Sequence, residues 1–295
     1  MTTTTIVPRG PFSLRELATF GFGQRLDTSW DGVMRMAFCA DGYRSGAGVS
    51  VRQDPDGIHV EVQGSADPAA VTAQVARILS LDHDGDAFEE VGRRDPVIGR
   101  LQEVAPGLRP PQFHSPYEAA AWAVLSARRP ARQMARVRDA LAAAHGTAFD
   151  LAGQRWHSFP TPSALLDVRE FPGIPEPKLT RLHAVAQAAW DGRLDAARLG
   201  AMDPAAAMAS VRELPGIGPF YAALVVVRAC GLADVLVTNE AIALDTMADL
   251  YGLDGPPSPA ELDRLAEPWR PFRTWAVVLI RAAAARLPER AGARA

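Results

Sequence analysis

The chain has 295 residues, 48% of them hydrophobic, with 31 basic against 34 acidic side chains and a formal charge of −3. That length can bury a sizeable core in one or two domains. The near-neutral balance excludes indiscriminate nucleic-acid binding of the histone kind but leaves room for a local basic patch. Lys178 is the single lysine, so the other basic residues are arginines. Cys39 and Cys230 are far apart, lie in apolar context and lack metal-ligand spacing, which predicts buried thiols in a reducing compartment. Residues 1–10 show no charged segment followed by an apolar run, so no secretory signal is expected. The longest apolar stretch, residues 221–237, is interrupted by Arg228 and Asp234 and does not suit a bilayer. The expectation is a soluble, cytoplasmic, monomeric protein without a cofactor.

In chain order, Val49-Ser50-Val51 and Ile58-His59-Val60-Glu61-Val62 alternate apolar with polar residues, the period of a half-buried strand. Asp54-Pro55-Asp56-Gly57 between them supplies turn residues, so the two form an antiparallel hairpin. Residues 69–81 repeat at helical spacing through Val71, Val75, Ile78 and Leu79. An α+β domain of strands and one or two helices is therefore expected over residues 1–105. Asp82-His83-Asp84-Gly85-Asp86 begins like a calcium loop, but Ala87 stands where the sixth position needs glycine and Arg93 where the twelfth needs glutamate. It is better described as a solvated acidic turn. After the turn at Pro106-Gly107, the pattern from Tyr117 onward is helical, punctuated by Phe159-Pro160-Thr161-Pro162, Pro172-Gly173, Pro215-Gly216 and Gly255-Pro256-Pro257. This predicts an all-α domain of about eight helices over residues 106–295, with only a short extended approach at 234–237. Phe171-Pro172-Gly173-Ile174 echoes Leu214-Pro215-Gly216-Ile217. It continues with Pro175-Glu176 where the second copy has Gly218, so only the second is expected to make a tight glycine hairpin.

Three features carry chemistry. In Glu213-Leu214-Pro215-Gly216-Ile217-Gly218-Pro219-Phe220-Tyr221-Ala222, two glycines flank one aliphatic residue between a helix ending near 212 and another starting at Pro219. It is no dinucleotide fingerprint, because Tyr221 occupies the third glycine position and no strand precedes it. Glycines let the backbone bend tightly, and the N–H groups of the new helix form an anion site. Such a helix–hairpin–helix holds a DNA phosphate without reading sequence; the alternative is an ordinary interhelical turn. The second feature is a run of five arginines in eleven residues, Arg128, Arg129, Arg132, Arg136 and Arg138, either a groove-facing patch or a solvated helix face. The third is Glu240, opening a helix that runs to Tyr251. Its carboxylate, aimed by backbone amides, could stabilise a sugar cation, or it could be a first-turn acid worth about 0.3–1 kcal/mol against the helix dipole. His59, His83, His114, His145, His157 and His183 show no metal or catalytic spacing.

Together these features resemble the AlkA branch of the helix–hairpin–helix DNA glycosylases over nearly the full length of the chain. The matching pieces are the sheet domain, Asp95-Pro96-Val97-Ile98 with Pro106-Gly107-Leu108-Arg109-Pro110, Phe159-Pro160-Thr161-Pro162, Leu214-Pro215-Gly216-Ile217-Gly218 and Trp269-Arg270-Pro271-Phe272-Arg273-Thr274-Trp275-Ala276. The resemblance implies a DNA N-glycosylase that flips damaged bases, alkylated purines above all, out of duplex DNA and hydrolyses the glycosidic bond in base-excision repair. It implies that Arg128, Arg129, Arg132, Leu214, Gly216, Ile217 and Gly218 bind DNA, with a possible monovalent cation on the Leu214 and Ile217 carbonyls. The family's catalytic aspartate falls on Glu240, one methylene longer, with Asn239 before it and Asp245 as a distant substitute. The family's Gln-Leu wedge falls on Ala127-Arg128, and a pocket tryptophan of close relatives falls on Arg281. Phe220 stands where lyase-competent relatives carry a lysine, which implies monofunctional chemistry. Trp122, Phe220 and Trp275 are candidates to line the substrate pocket, though Trp122 and Trp275 also suit the core. The alternative is a helix–hairpin–helix protein that binds damaged DNA without turnover, or with a shifted substrate.

Overall fold

The computed structural model of the protein describes residues 2–20, 30–236, 238 and 240–288. Packing divides the chain into two compact units, and the division does not fall at residue 105. One unit combines Met1–Val7, Gly21–Asp82 and Pro111–Leu232; the other combines Pro8–Phe20, His83–Pro110 and Ala233–Ala295. The reason lies in the core of the first unit. Cys39 and Tyr43, from the sheet region, are buried in the same apolar cluster as Tyr117, Leu125, Leu182 and Val225 from the helices. The Tyr43 ring lies 5.3 Å from that of Tyr117, and its hydroxyl donates to the Leu194 carbonyl at 2.6 Å. A sheet that shares its core with later helices does not separate from them as a domain of its own.

The sheet of the first unit contains β1 (Thr2–Ile6), β2 (Met34–Cys39), β3 (Gly46–Asp54) and β4 (Gly57–Gly64), all antiparallel in the order β1-β4-β3-β2. The expected hairpin is β3 with β4, pairing Val49 with Val62 and Val51 with Val60. Asp54 closes it by accepting the N–H groups of Asp56 and Gly57 at 2.8 and 3.2 Å. The expected helix follows as Pro68–Ile78, capped by Asp67 and burying Val71, Val75 and Ile78. The α+β class holds, but the later region is not all helix. β5 (Ala148–Leu151) and β6 (Gln154–His157) form a second, two-stranded sheet. Ala152 and Gly153 turn between them at φ 46 and 77, the geometry a two-residue hairpin loop needs. Phe149 and Leu151 are buried with Ala37, and Trp156 packs against them.

Residues 116–283 form ten α-helices among the described residues, where about eight were expected; two of them, Pro162–Leu166 and Ala196–Ala201, are short. In the first unit, helix Pro116–Ser126 is buried along nearly its whole length and packs against Glu176–Trp190 and Pro219–Ala229. In the second unit that place belongs to Arg273–Ala283, whose residues Thr274 to Ile280 are all buried. It packs against Pro96–Val104 and Ala241–Tyr251. The acidic stretch near residue 84 caps a helix: the Asp84 carboxylate accepts the amides of Asp86 and Ala87 at the start of Gly85–Arg94. Among the described residues no helix is long and apolar enough to cross a membrane. Cys39 and Cys230 are free thiols, the first buried and the second half-buried. Burial pushes the Cys39 thiol well up and that of Cys230 up to about 12.

Candidate nucleic-acid interface and active site

Helix Pro204–Arg212 stops just before Leu214, and the N–H of Ile217 closes the next turn on the Leu214 carbonyl at 3.1 Å. Gly216 sits at φ 90, in the left-handed region that favours glycine. A side chain there would also press on Arg181, whose Cδ lies 3.0 Å from the Cβ position. Leu214 and Ile217 are buried and anchor the hairpin. A carbonyl oxygen has two lone pairs, so Leu214, engaged once by Ile217, keeps one for the monovalent cation that the resemblance implies.

Gly218 is different. Its backbone is extended, at φ −88 and ψ 178, and the space around its Cβ position is open. Neither conformation nor packing within the described chain calls for glycine here. Gly218 is the N-cap of Pro219–Ala229 and offers no side chain to the first turn. The first bond of that helix runs from Ala222 N–H to the Gly218 carbonyl at 2.9 Å. The Phe220 and Tyr221 amides before it have no acceptor within the helix and suit an external anion. The echo at residues 171–174 makes the same turn after all: Ile174 N–H meets the Phe171 carbonyl at 3.0 Å and Gly173 sits at φ 85. A single positive-φ glycine suffices for the turn. What the second copy alone has is the open, extended glycine after it.

The arginine run splits between a loop and a helix. Arg128 and Arg129 join Pro116–Ser126 to Ala131–His145, and Arg132 lies in the first turn of the latter; all three are exposed. Arg128 has φ 56, a left-handed conformation that costs a non-glycine residue on the order of 1–3 kcal/mol and gathers at functional sites. The Lys178 ammonium holds this loop, donating to the carbonyls of Leu125 and Ala127 at 2.5 and 3.3 Å. Partial burial, then the charges of Arg129 and Arg181, lower its pKa. Arg181 in turn flanks Gly216, and Ser126 Oγ lies 3.3 Å from the Tyr221 hydroxyl. The first unit thus brings the arginine loop and the glycine hairpin together around Lys178 and Arg181. Neither of those two was marked as a site residue from the sequence; their placement on Glu176–Trp190 becomes meaningful only when that helix packs between the two loops.

Glu240 is the N-cap of Ala241–Tyr251, yet its carboxylate does not cap the helix. Its Oε1 lies instead 2.8 Å from Nε of Arg281, with both side chains about one-third exposed (32% and 35%). The backbone amides expected to hold this carboxylate are replaced by a guanidinium from the last turn of Arg273–Ala283. Asp245 is exposed on the helix surface, and Asn239 lies outside the described residues.

The pocket candidates divide between the two units, Trp122 and Phe220 in the first and Trp275 and Arg281 in the second. Trp275 is fully buried in the second unit, its ring 4.9 Å from Phe272 and 5.1 Å from Phe88. It is core, because its position faces inward on a helix buried on nearly all sides. Trp122 lines a cavity of about 260 Å³ in the first unit with Phe159, Trp156 and Glu118, the Arg138 guanidinium lying 5.5 Å from its ring centre. Phe220 does not line that cavity; it stands 43% exposed on the hairpin helix, edge-on to Tyr221 at 5.4 Å.

Comparison with known proteins extends this geometry. No family model matches the chain. It is 28% identical over 236 residues to a probable bifunctional transcriptional activator/DNA repair enzyme AlkA of Mycobacterium tuberculosis, covering 77% of this chain and 46% of that protein. The chain therefore spans about half the length of that relative. It is 24% identical over 229 residues to DNA-3-methyladenine glycosylase 2 of Escherichia coli, covering 76% of each. Its fold superposes on a 3-methyladenine DNA glycosylase from Archaeoglobus fulgidus with a TM-score of 0.72 at 18% identity, covering 95% of this chain and 97% of that one. The chain is therefore similar in sequence and in fold to DNA-3-methyladenine glycosylases.

Within this chain, the motifs most distinctive in sequence are structural. Asp95 is buried; its Oδ1 caps Pro96–Val104 through the amides of Val97 and Ile98. Its Oδ2 accepts from Trp269 Nε1 at 2.7 Å and from the Tyr251 hydroxyl at 2.6 Å. Arg273 Nε meets Asp234 Oδ1 at 2.8 Å, and Thr274 bonds the backbone of Ala233 and Val235. Helix Arg273–Ala283 therefore fastens the chain before Glu240 at one end and the Glu240 carboxylate itself at the other.

Proposed function

We propose that the chain is a monofunctional DNA N-glycosylase that excises damaged bases, alkylated purines among them, from duplex DNA at the start of base-excision repair. It would act as a monomer in the cytoplasm. The observation that carries this is Gly218: an N-cap glycine that the fold itself does not require, open to the outside and next to a turn flanked by Arg181. A DNA phosphate explains both the glycine and the cations. The Leu214 and Ile217 carbonyls would hold a monovalent cation that adds positive charge facing the phosphate. Arg128, on its strained loop, would fill the gap left by a flipped nucleotide, while Arg129 and Arg132 meet phosphates. At the sugar, breaking the C1′–N bond sends the electron pair to the base and leaves C1′ positive. The Glu240 carboxylate would stabilise that charge until water adds.

Turnover on a panel of duplexes, each with one lesion, tests this. Release of a free base with an intact abasic strand is the expected result. A non-catalytic binder of damaged DNA, favoured by the Arg281 contact that already neutralises Glu240, would release none.

Two further outcomes follow. Gly218→Ala should fold normally, because its backbone is extended and its surroundings open. It should nevertheless weaken binding to damaged and undamaged duplexes by a similar factor, since a backbone contact carries no base information. Fluorescence anisotropy at fixed salt reads this, and unchanged affinity would count against the hairpin as a phosphate site. Borohydride should trap no covalent complex through lysine, because the single lysine, Lys178, is committed to the carbonyls of Leu125 and Ala127. An adduct mapped to Lys178 would overturn monofunctional chemistry.

A further inference from the structure

We propose that Arg281 selects the base that is excised, favouring electrically neutral adducts, which depart as anions, over cationic N-alkylpurines. This deepens the glycosylase proposal above and rests on it. Among the described residues the ion-pair partner of the Arg281 guanidinium is Glu240, engaged through Nε at 2.8 Å. A guanidinium carries five N–H donors, and the side chain is about one-third exposed, so donors remain for a ligand at the same place as the carboxylate.

The chemistry of heterolysis separates two kinds of substrate. When a neutral base leaves, the C1′–N electron pair moves onto the base nitrogen, so the transition state carries positive charge on the sugar and negative charge on the base. Water then adds to C1′, and the proton it loses ends on the departed base. A carboxylate and a guanidinium side by side match both developing charges. When an N-alkylated purine leaves, the base is positive at the start and neutral at the end. The guanidinium then repels the bound substrate and has no anion to stabilise. A residue that merely positioned Glu240 would make no such distinction, because every substrate needs the carboxylate equally.

Single-turnover excision of hypoxanthine and 1,N6-ethenoadenine (both neutral) and of 7-methylguanine (cationic) would be compared for wild type and Arg281→Gln. Wild type should favour the neutral pair. Arg281→Gln should shift the ratio of rates toward 7-methylguanine by roughly tenfold or more, the scale of one unit charge removed from a partly buried site. An equal change on all three overturns charge selection and leaves Arg281 a positioning residue. The same lesions on 2′-fluorinated sugars, which resist hydrolysis, give a readout independent of turnover. Wild type should bind the neutral duplexes more tightly than the cationic one, and Arg281→Gln should lose that preference. Equal wild-type affinities overturn the proposal. Absence of base release from every unmodified duplex, with the binding preference intact, counts against the glycosylase reaction and leaves charge selection standing.

Discussion

Glu240→Gln is expected to lower single-turnover base excision by about 10²-fold or more while leaving fold and duplex affinity near those of wild type. The substitution keeps shape and removes the charge that would face the sugar cation. It also separates catalysis from structure, because the carboxylate makes no cap to Ala241–Tyr251 and its contact is a pair with Arg281 that is about one-third exposed. Loss of such a pair changes stability by about 0–1 kcal/mol, a shift of only a few degrees at most in a chain of this size. Glu240→Asp keeps the charge and should retain activity. The decisive comparison is the rate on one lesion for the three proteins with thermal unfolding measured alongside. If the three rates agree, Glu240 is a structural acid.

The largest stability effect should come from Asp95→Ala. One buried carboxylate serves four donors: the amides of Val97 and Ile98, the Trp269 indole and the Tyr251 hydroxyl. Alanine would leave the indole of a fully buried tryptophan without an acceptor and strip the cap from Pro96–Val104. Together these are expected to cost about 3–5 kcal/mol, a large part of the total stability of an ordinary domain. Asp95→Asn should come close to this. An amide has one acceptor oxygen, so its NH₂ must face either the two backbone amides or the Trp269 and Tyr251 donors. Denaturant titration followed by tryptophan fluorescence measures both variants. A loss below about 1 kcal/mol for Asp95→Ala would mean that this network does not hold the second unit together.

The sequence by itself determined what depends on neighbours along the chain. The valine alternation of β3 and β4 and the Asp54 turn between them are local, as are the spacing of Val71, Val75 and Ile78 and the Gly216 turn ahead of Pro219. Each follows from the period of side chains or the backbone freedom of one residue, so each could be read in advance. The β5–β6 hairpin was legible in principle, through Phe149 and Leu151 ahead of Ala152-Gly153, but four-residue strands give too short a pattern to stand out among helices.

Only the tertiary structure decided how distant residues meet. It placed Trp275 in the core, because the two faces of Arg273–Ala283 look alike in a nearly uniform apolar run. It merged the sheet with the helices into one unit through a shared core that no linear boundary marks. It set Lys178 and Arg181 beside the arginine loop and the glycine hairpin. Above all it joined Glu240 to Arg281, the two residues that depart most from the resemblance. Read separately along the chain, a lengthened acid and a misplaced cation each weaken the case for catalysis. An ion pair depends on distance in space, which side-chain periodicity does not encode, so their complementarity appears only once two helices of the second unit pack together.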